Sequence, residues 1–578
     1  MKRTFDPITL EIYWRRLISI VDEADAAVAR TAFSSLIRDA HDYSCCLFDV
    51  QGRELAQASM TTPGQLGGMT QGVKKICRTF PRDSHKPGDV LITNDPWLLA
   101  GHLPDIIVVT PVFHKARVVA FAACVFHHRD IGGRLGIENR EVYEEGLFIP
   151  LLKLYDGPNL NNGILEMIRA NVRLPENTIG DIRSQVAANH VLSVKLVEML
   201  EETGLDSLDD LSDEIIGVSE RTMREGIQEI PDGTYSHESF IEQPGGLKPL
   251  KVKVKVNVTG SNIVLDFDGT APQVDRGINC VLNFTYAYVF FAIKSAFAPE
   301  IPNNDGCTVP VEVKAPEGSI LNCRFPVAVT GRTSIGHLLT EVIYQALAKA
   351  VPQKILAEGG SSPAWWKVIS GRRKDGKKFS ETLLISGGMG ASARYDGRSC
   401  APFPQNCSNE PVEILESEAP LLVRKKELVP DSGGPGKFRG GLGQELIFEI
   451  PKAEYGPLPP VATTLIGGRF HLPAQGILGG KSGEKGSFIL NNKPQDWGGQ
   501  VYSNPGDMMR FRHPGGGGYG NPLRRPIELV EEDARNGYIS VEAAKKHYGV
   551  VIDKRTYKAN LSATEKLRKM GNAKRKKR

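Results

Sequence analysis

Cysteine is scarce and scattered in this 578-residue chain: nine residues, none spaced as C-x-x-C, which excludes a disulfide scaffold and a zinc ribbon. Long apolar runs are missing too. The longest, 118–126 and 281–293, fall short of the roughly 18 residues of a membrane span, and Met1 to Pro7 lack the apolar core of a secretory leader. A cytosolic protein that does not span a membrane is expected. Nor is there an excess of one charge: 71 Lys and Arg against 67 Asp and Glu give +4, much of it in residues 565–578. That tail reads as a loose, solvated segment, and the near-neutral body shows no basic face with interleaved aromatics, so no nucleic-acid partner is expected. What is present is an ordinary globular composition, 41% hydrophobic and 24% charged, in a chain long enough for about three to four folded units. Glycine alone is in excess, 60 of 578, about 10% against a usual level of about 7%. Tight turns or close backbone approaches are implied.

Periodicity predicts a mixed α+β, multi-domain chain. Asp6-Pro7 opens a helix whose apolar positions Ile8, Ile12, Leu17, Val21, Ala24 and Val28 recur at helical spacing up to about residue 32. Segments 44–48 and 54–58 bracket Asp49-Val50-Gln51-Gly52-Arg53 as a hairpin. Strands are expected at 89–93, 106–113 and 118–126, and helix from 163 to about 202. Residues 233–267 alternate in the β manner, as in Lys251-Val252-Lys253-Val254-Lys255-Val256, with helices following at 283–297 and 335–350. From 387 to 522 glycine clusters punctuate short strands and predict a mainly β region with many turns, before helix returns at 527–544. These shifts divide the chain into 1–220, a mixed α/β region; 221–385, a central α+β region; 386–526, glycine-rich β; and 527–578, a helix with a basic tail.

Chemistry-bearing residues concentrate between 93 and 133, in Thr93-Asn94-Asp95-Pro96-Trp97, His102-Leu103-Pro104-Asp105 and His127-His128-Arg129-Asp130-Ile131-Gly132-Gly133. The two strands between them join through His114-Lys115-Ala116-Arg117. An antiparallel hairpin about that link has partner numbers summing to near 231, so that Asp105 faces Phe126, His127 is one residue away from it, and His102 lies beyond the same open end. At a strand spacing of about 5 Å, two imidazoles and a carboxylate converge within reach of a metal held about 2.0–2.2 Å from each donor. Such a set leaves coordination positions open, as a catalytic Fe, Mn or Zn requires. Asp95, Asp130 and His128 are candidates for a further ligand or for groups that hold an imidazole tautomer. A plainer reading is equally available: Asp105 and Asp130 cap turns, and the histidines pack around a buried hairpin.

Other matches fail on inspection. Asp431-Ser432-Gly433-Gly434-Pro435 looks like a protease serine segment but has Pro430 where a glycine belongs. Gly476 to Ser482 is one residue too short for a phosphate-cradling loop. There is no His-Glu-x-x-His and no Gly-x-Ser-x-Gly. Cys45, Cys46 and Cys124 lie in apolar strands and read as core.

Taken together, Asp42-Tyr43-Ser44-Cys45, Asn94-Asp95-Pro96, Gly101-His102-Leu103-Pro104-Asp105, His127-His128 with Asp130-Ile131-Gly132-Gly133, Glu144-Glu145-Gly146, Gly180-Asp181-Ile182-Arg183, Pro302-Asn303-Asn304-Asp305-Gly306 and the glycine clusters at 433–443 and 515–520 resemble the hydantoinase B/oxoprolinase family, which includes the metal-bearing subunits of acetone and acetophenone carboxylases. The likeness spans about 6–552. It implies an enzyme of two kinds of chain. A hydantoinase A-like partner binds ATP and phosphorylates a substrate oxygen, and a chain like this one completes the reaction at a divalent metal held by a His-x-x-Asp pair and a later histidine, here His102, Asp105 and His127.

Two departures stand out. Many oxoprolinase-like members carry two histidines where this chain reads Thr62-Pro63-Gly64-Gln65-Leu66-Gly67-Gly68-Met69, and an alanine is common where it has Arg129. A guanidinium there could hold bicarbonate, carboxyphosphate or a phosphate ester through two hydrogen bonds, or form a surface ion pair. The site implied is His102, Asp105 and His127, with Asp95, at a Zn, Mn or Fe ion, and His128, Arg129 and Asp130 as catalytic neighbours. Three functions follow: first, a carboxylase subunit in which a ketone is activated as an enol phosphate and takes CO₂ or bicarbonate; second, an ATP-dependent hydrolase of a cyclic amide such as a hydantoin or 5-oxoproline; third, a non-catalytic scaffold in a hetero-oligomer.

Overall fold

The chain begins on α1 (Pro7–Thr31), and local chemistry sets its start: Asp6 Oδ1 accepts the N–H groups of Ile8 and Thr9 at 3.1 Å each, and Pro7 stands at the first helical position. The computed structural model describes residues 4–99, 101–134, 136–373, 375–452 and 459–576, with side chains described for all of these except 65–67 and 572–576. The mixed α+β architecture expected from the sequence is the one adopted. Among the described residues no helix is long and apolar enough to cross a membrane.

After a short α2 (Ser35–Arg38), β1 (Tyr43–Phe48) and β2 (Glu54–Gln57) form the expected hairpin, its turn fixed by Asp49 Oδ1, which accepts the N–H groups of Gln51 and Arg53. Helix α3 (Pro63–Thr79) follows, then β3 (Val90–Thr93), β4 (Asp105–His114), β5 (Arg117–His127), β6 (Leu152–Asp156) and β7 (Asn159–Leu160). These strands make one antiparallel sheet in the order β2-β1-β5-β4-β3-β6-β7. Both faces are covered. Cys45, Leu47, Ala122 and Cys124 pack with α1, and Cys46, Phe48, Ala123 and Val125 pack with Met69, Val73 and Ile76 of α3. Burial on both sides explains why these strands read as continuous apolar runs rather than as alternation.

The helical periodicity over 163–202 is carried by two helices, α4 (Asn162–Asn171) and α5 (Pro175–Thr203). Pro175 has no N–H and disfavours helix in the residue before it, so the chain breaks there. Helix α6 (Asp209–Gln228) leads to a second sheet of β8 (Gly233–Ile241), β9 (Leu250–Thr259), β10 (Asn262–Asp266) and β11 (Val311–Lys314), ordered β11-β10-β9-β8. Val252, Val254, Val256 and Val258 of β9 are buried, as the alternation predicts. Helix α7 (Leu282–Phe297) packs on α3 and on α8 (Thr333–Leu347), whose residues are buried almost all round.

Residues 365–385, placed with the central region, form two strands for which no expectation was made, β12 (Trp365–Arg372) and β13 (Lys378–Ile385). They pair with each other, and β12 also pairs with a strand from beyond residue 385. Beyond α9 (Val412–Glu418) come β14 (Leu422–Leu428), β15 (Gln444–Glu449), β16 (Val461–Ile466), β17 (Ser487–Leu490), β18 (Lys493–Gln495), β19 (Gln500–Ser503) and β20 (Met508–Arg512). They complete two sheets, β13-β12-β16-β19 and β14-β15-β20-β17-β18.

The glycine clusters themselves are not the turns expected of them. None of the glycines at 387–390, 433–443 or 515–518 has a positive φ. A Cβ on Gly388 would lie 1.9 Å from Gly441 O, one on Gly515 1.8 Å from Ser432 O, and one on Gly440 2.0 Å from Gly516 O. The segments run side by side, linked by bonds such as Gly388 N–H to Pro514 O, Gly441 N–H to Met389 O and Gly516 N–H to Gly441 O. Glycine is required there by proximity rather than by backbone dihedral. At the C-terminus, the helix expected over 527–544 is α10 (Ile527–Arg535) and α11 (Val541–Tyr548), parted at Gly537 with φ 72°. The tail expected to be loose is helical, α12 (Leu561–Lys576); residues 577–578 lie outside the described residues.

Candidate metal centre

The hairpin of β4 and β5 brings the predicted residues together with a register one residue off the expected one. Near the link Phe113 pairs with Val118, but a bulge between Val112 and Phe113 adds a residue, and from Val112 opposite Ala120 onward partner numbers sum to 232. Asp105 therefore faces His127 directly. Pro111, which cannot donate to the ladder, stands beside the bulge. His102 closes a turn onto the same end, its carbonyl accepting Asp105 N–H at 3.3 Å. Asn94 holds this loop: its Nδ2 donates to Leu103 O and Leu147 O, and its Oδ1 accepts Ile149 N–H.

Three donor atoms meet. His102 Nε2 is 2.9 Å from Asp105 Oδ1 and 3.1 Å from His127 Nδ1, and His127 Nδ1 is 3.1 Å from Asp105 Oδ1. All three residues are buried, and among the described residues this is the cluster of His, Cys, Asp and Glu able to hold a metal ion. His102 Nδ1–H donates to Thr330 O at 3.0 Å, which leaves Nε2 as a lone pair. Burial, reinforced by Arg332, lowers the His102 pKa to about 4, so the ring stays neutral. Burial pushes the Asp105 carboxyl up, but the Arg332 guanidinium beside it holds it well below the ordinary carboxylate range. Two lone pairs thus face each other across the 2.9 Å edge, a contact that only a shared cation or an extra proton relieves. The residues fit a metal in size as well. Donors at right angles around an ion about 2.1 Å away are about 3.0 Å apart, whereas tetrahedral donors are about 3.4 Å apart; the observed edges match the first.

The remaining predicted residues are placed differently. Asp95 is not in the cluster; its Oδ1 caps a turn by accepting Trp97 N–H at 2.9 Å. Asp130 accepts the N–H groups of Gly132 and Leu174 and pairs with Arg173, tying the loop to the start of α5. Arg129 is not a surface residue. It is buried against Glu381 of β13 in a two-pronged pair, with contacts of 2.9 and 2.7 Å, and its guanidinium also reaches Ser35 Oγ. Burial raises the Glu381 pKa to about 7 against the pull of Arg129. His128 is buried, its Nε2 3.4 Å from Gln185 Oε1, and burial lowers its pKa. His128, Arg129, His102, His127, Thr333 and Trp366 line a cavity of about 30 Å³, with room for a water or two.

Two neighbours had no counterpart among the predicted site residues. Arg332 Nη2 lies 2.6 Å from Asp105 Oδ2, and Asp42 Oδ2 lies 4.0 Å from His127 Nδ1. Burial raises the Asp42 pKa to about 6. Asp42 belongs to a stretch that carried the family resemblance, which was the available signal. Arg332 stands 227 positions from Asp105 and offered none.

The chain belongs to the hydantoinase B/oxoprolinase family, whose model matches residues 6–522, and it is an enzyme component of that family. It is 31% identical to the B component of a putative D-/L-hydantoinase from Pseudomonas sp. (strain NS671), over 95% of this chain and 96% of that one. It is 31% identical to the beta chain of the caprolactamase of Pseudomonas jessenii, over 95% and 97%, and 29% identical to the 5-oxoprolinase of Dictyostelium discoideum, over 89% of this chain but 40% of that protein. A crystal structure of the ATP-dependent caprolactamase from Pseudomonas jessenii superposes with a TM-score of 0.90 at 29% identity, covering 98% of this chain and all of its own. A nucleotide-free acetone carboxylase superposes at 0.89 with 18% identity, over 99% and 83%, a likeness of fold.

Proposed function

We propose that this chain is the cation-bearing subunit of an ATP-dependent enzyme that opens a cyclic amide, acting with a separate ATP-binding chain. The observation that carries this reading is the buried triangle of His102 Nε2, Asp105 Oδ1 and His127 Nδ1, whose edges of 2.9–3.1 Å suit one divalent ion. The relatives support the substrate class, since hydantoin, caprolactam and 5-oxoproline all hold an amide inside a ring. They support the division of labour as well. The chain spans nearly all of two relatives named as subunits and matches 40% of a 5-oxoprolinase, which supports an ATP-binding partner chain.

A ring amide resists water because its nitrogen lone pair is delocalised. Phosphorylation of the amide oxygen by the ATP-binding chain gives a phosphorylated imidate; one water adds to that carbon and the C–N bond opens to leave a free amine and an acyl phosphate, which a second water hydrolyses to the carboxylate and inorganic phosphate. A divalent cation, when bound at the triangle, would supply the Lewis acidity this step needs. His102 and His127 would hold it as neutral imidazoles, and Asp105, kept ionised by Arg332, would add the one negative charge. The cavity of about 30 Å³ beside them is sized for the attacking water rather than for the ring. His128, kept neutral by burial on the same cavity, is the proposed acceptor of that water's proton. Arg129 lines the cavity with its charge matched by Glu381, and Asp130 serves by fixing the loop that presents both.

The deciding experiment is the assembled enzyme with ATP. Ring opening of a hydantoin, a lactam or 5-oxoproline without bicarbonate is expected; bicarbonate-dependent consumption of a ketone would replace this reading with the carboxylase. Metal analysis separates both from a scaffold. A divalent cation close to one per chain, lost in His102→Ala, is expected, and full activity of a complex free of metal would sink the proposal.

A further inference from the structure

His102 and Asp105 each have a second polar atom turned away from the triangle, and one loop, residues 329–332, binds both from more than two hundred positions along the chain. Thr330 O accepts His102 Nδ1–H at 3.0 Å, and Arg332 Nη2 donates to Asp105 Oδ2 at 2.6 Å. The loop is itself anchored. Oε1 of buried Glu145 accepts the N–H groups of Val329 and Thr330 at 2.7 Å each, and Gly331 N–H donates to Gly277 O at 2.5 Å. No side chain fits at Gly331, where a Cβ would lie 2.5 Å from Ile137 Cγ2 and 2.9 Å from Gly277 O. Arg332 passes Gly101, where a Cβ would stand 2.9 Å from its Cδ, and lies over the Phe284 ring at 4.3 Å.

Burying an arginine and an aspartate together gains little stability, because desolvation offsets their attraction. What the pair does achieve is to fix which carboxylate oxygen remains available. We propose that loop 329–332, held by Glu145, is the positioning element of the cation site, a role that rests on the cation reading above. Through Thr330 it makes Nε2 the nitrogen that His102 presents, and through Arg332 it leaves Asp105 one oxygen to offer. Each residue then contributes a single donor atom, and the remaining coordination positions are left for water and substrate. Glu145, Thr330 and Arg332 act through His102 and Asp105 and are positioning residues.

Titration of the purified full-length chain with Co²⁺, followed by visible absorption, reads affinity and coordination together without any turnover. Glu145→Ala is expected to bind Co²⁺ about 10–100-fold more weakly, whereas Glu145→Gln, which keeps the accepting oxygen, stays near wild type. Arg332→Met is expected to alter the Co²⁺ spectrum, since Asp105 then has two oxygens to offer, and Arg332→Lys to restore most of it by keeping the charge. Wild-type affinity in Glu145→Ala together with a wild-type spectrum in Arg332→Met overturns the positioning role and leaves the cation reading standing. A wild-type chain that binds no Co²⁺ overturns both. If Glu145→Ala does not fold, the Arg332 pair decides: a Met variant with the wild-type spectrum is enough to reject the role.

Discussion

The β4–β5 hairpin and the glycine segments between 387 and 520 both draw distant backbone into close contact, yet they encode that closeness in opposite ways. In the hairpin region position depends on side chains that are present: Asn94 holds the loop, Asp130 ties it to α5, and Arg332 reaches Asp105 from another part of the chain. In the glycine segments it depends on side chains that are missing, since backbone atoms already occupy the space a Cβ would need. A side-chain contact can be weakened by degrees. A backbone held within about 2 Å of where a methyl would sit leaves little to adjust.

That contrast can be broken by experiment, and the largest effect belongs to the glycines. Gly388→Ala, which sets a methyl 1.9 Å from Gly441 O, is expected to destabilise by more than about 4 kcal/mol and to yield no soluble folded chain. Expression with a normal melting curve would refute the close-packing account. Next is Asp105→Asn, which removes the charge facing Arg332 in a buried pair. It should lower stability by about 3–5 kcal/mol and abolish cation binding, with chemical denaturation and metal analysis as the two measurements. Retained metal would show that the triangle is not the ligand set.

A third, smaller effect depends on pH. Burial raises the Glu54 pKa from 4.5 to about 7, although Thr70 Oγ1 donates to it at 2.7 Å. Between those values the folded chain keeps a proton that the unfolded chain has lost, so stability falls as pH rises. Glu54→Gln should therefore be the more stable form above pH 7, with the gap closing below pH 4.5; melting curves at several pH values that stay parallel would contradict this. The smallest effect is expected of Gly260→Ala, where φ is 57° and no atom lies within 4 Å of the new methyl. Only the backbone strain of about 1 kcal/mol remains. Equal losses for Gly260→Ala and Gly388→Ala would erase the difference between a conformational and a packing glycine.

Much of the site was legible from spacing. His102, Asp105 and His127 follow from two apolar strands and a short link, and the register missed by one because a bulge at Val112–Phe113 leaves no mark in the hydrophobic pattern of strands buried on both faces. Helix α1 and the alternation of β9 were equally readable, since one buried stripe or face imposes its period on the sequence. Helix α3 was not, because Pro63-Gly64 and the glycines after it resemble a loop. Nor were β12 and β13 assigned as strands or joined to the later sheet, since nothing local in 365–385 names β16 as the partner of β12. The glycine clusters announced themselves, but a turn and a close approach both call for the absence of a Cβ, and composition does not distinguish them.

By itself, then, the order of residues determined the elements with one clear buried stripe or face, the meeting of His102, Asp105 and His127 at the open end of a hairpin and the family, because each depends on neighbours a few positions apart or on motifs kept in sequence. The tertiary structure alone decided that Arg332 is the charge facing Asp105, that Thr330 selects the nitrogen of His102, and that Arg129 is matched by Glu381. Those partners lie more than two hundred positions away, and which buried charge meets which is settled only when packing takes both out of water.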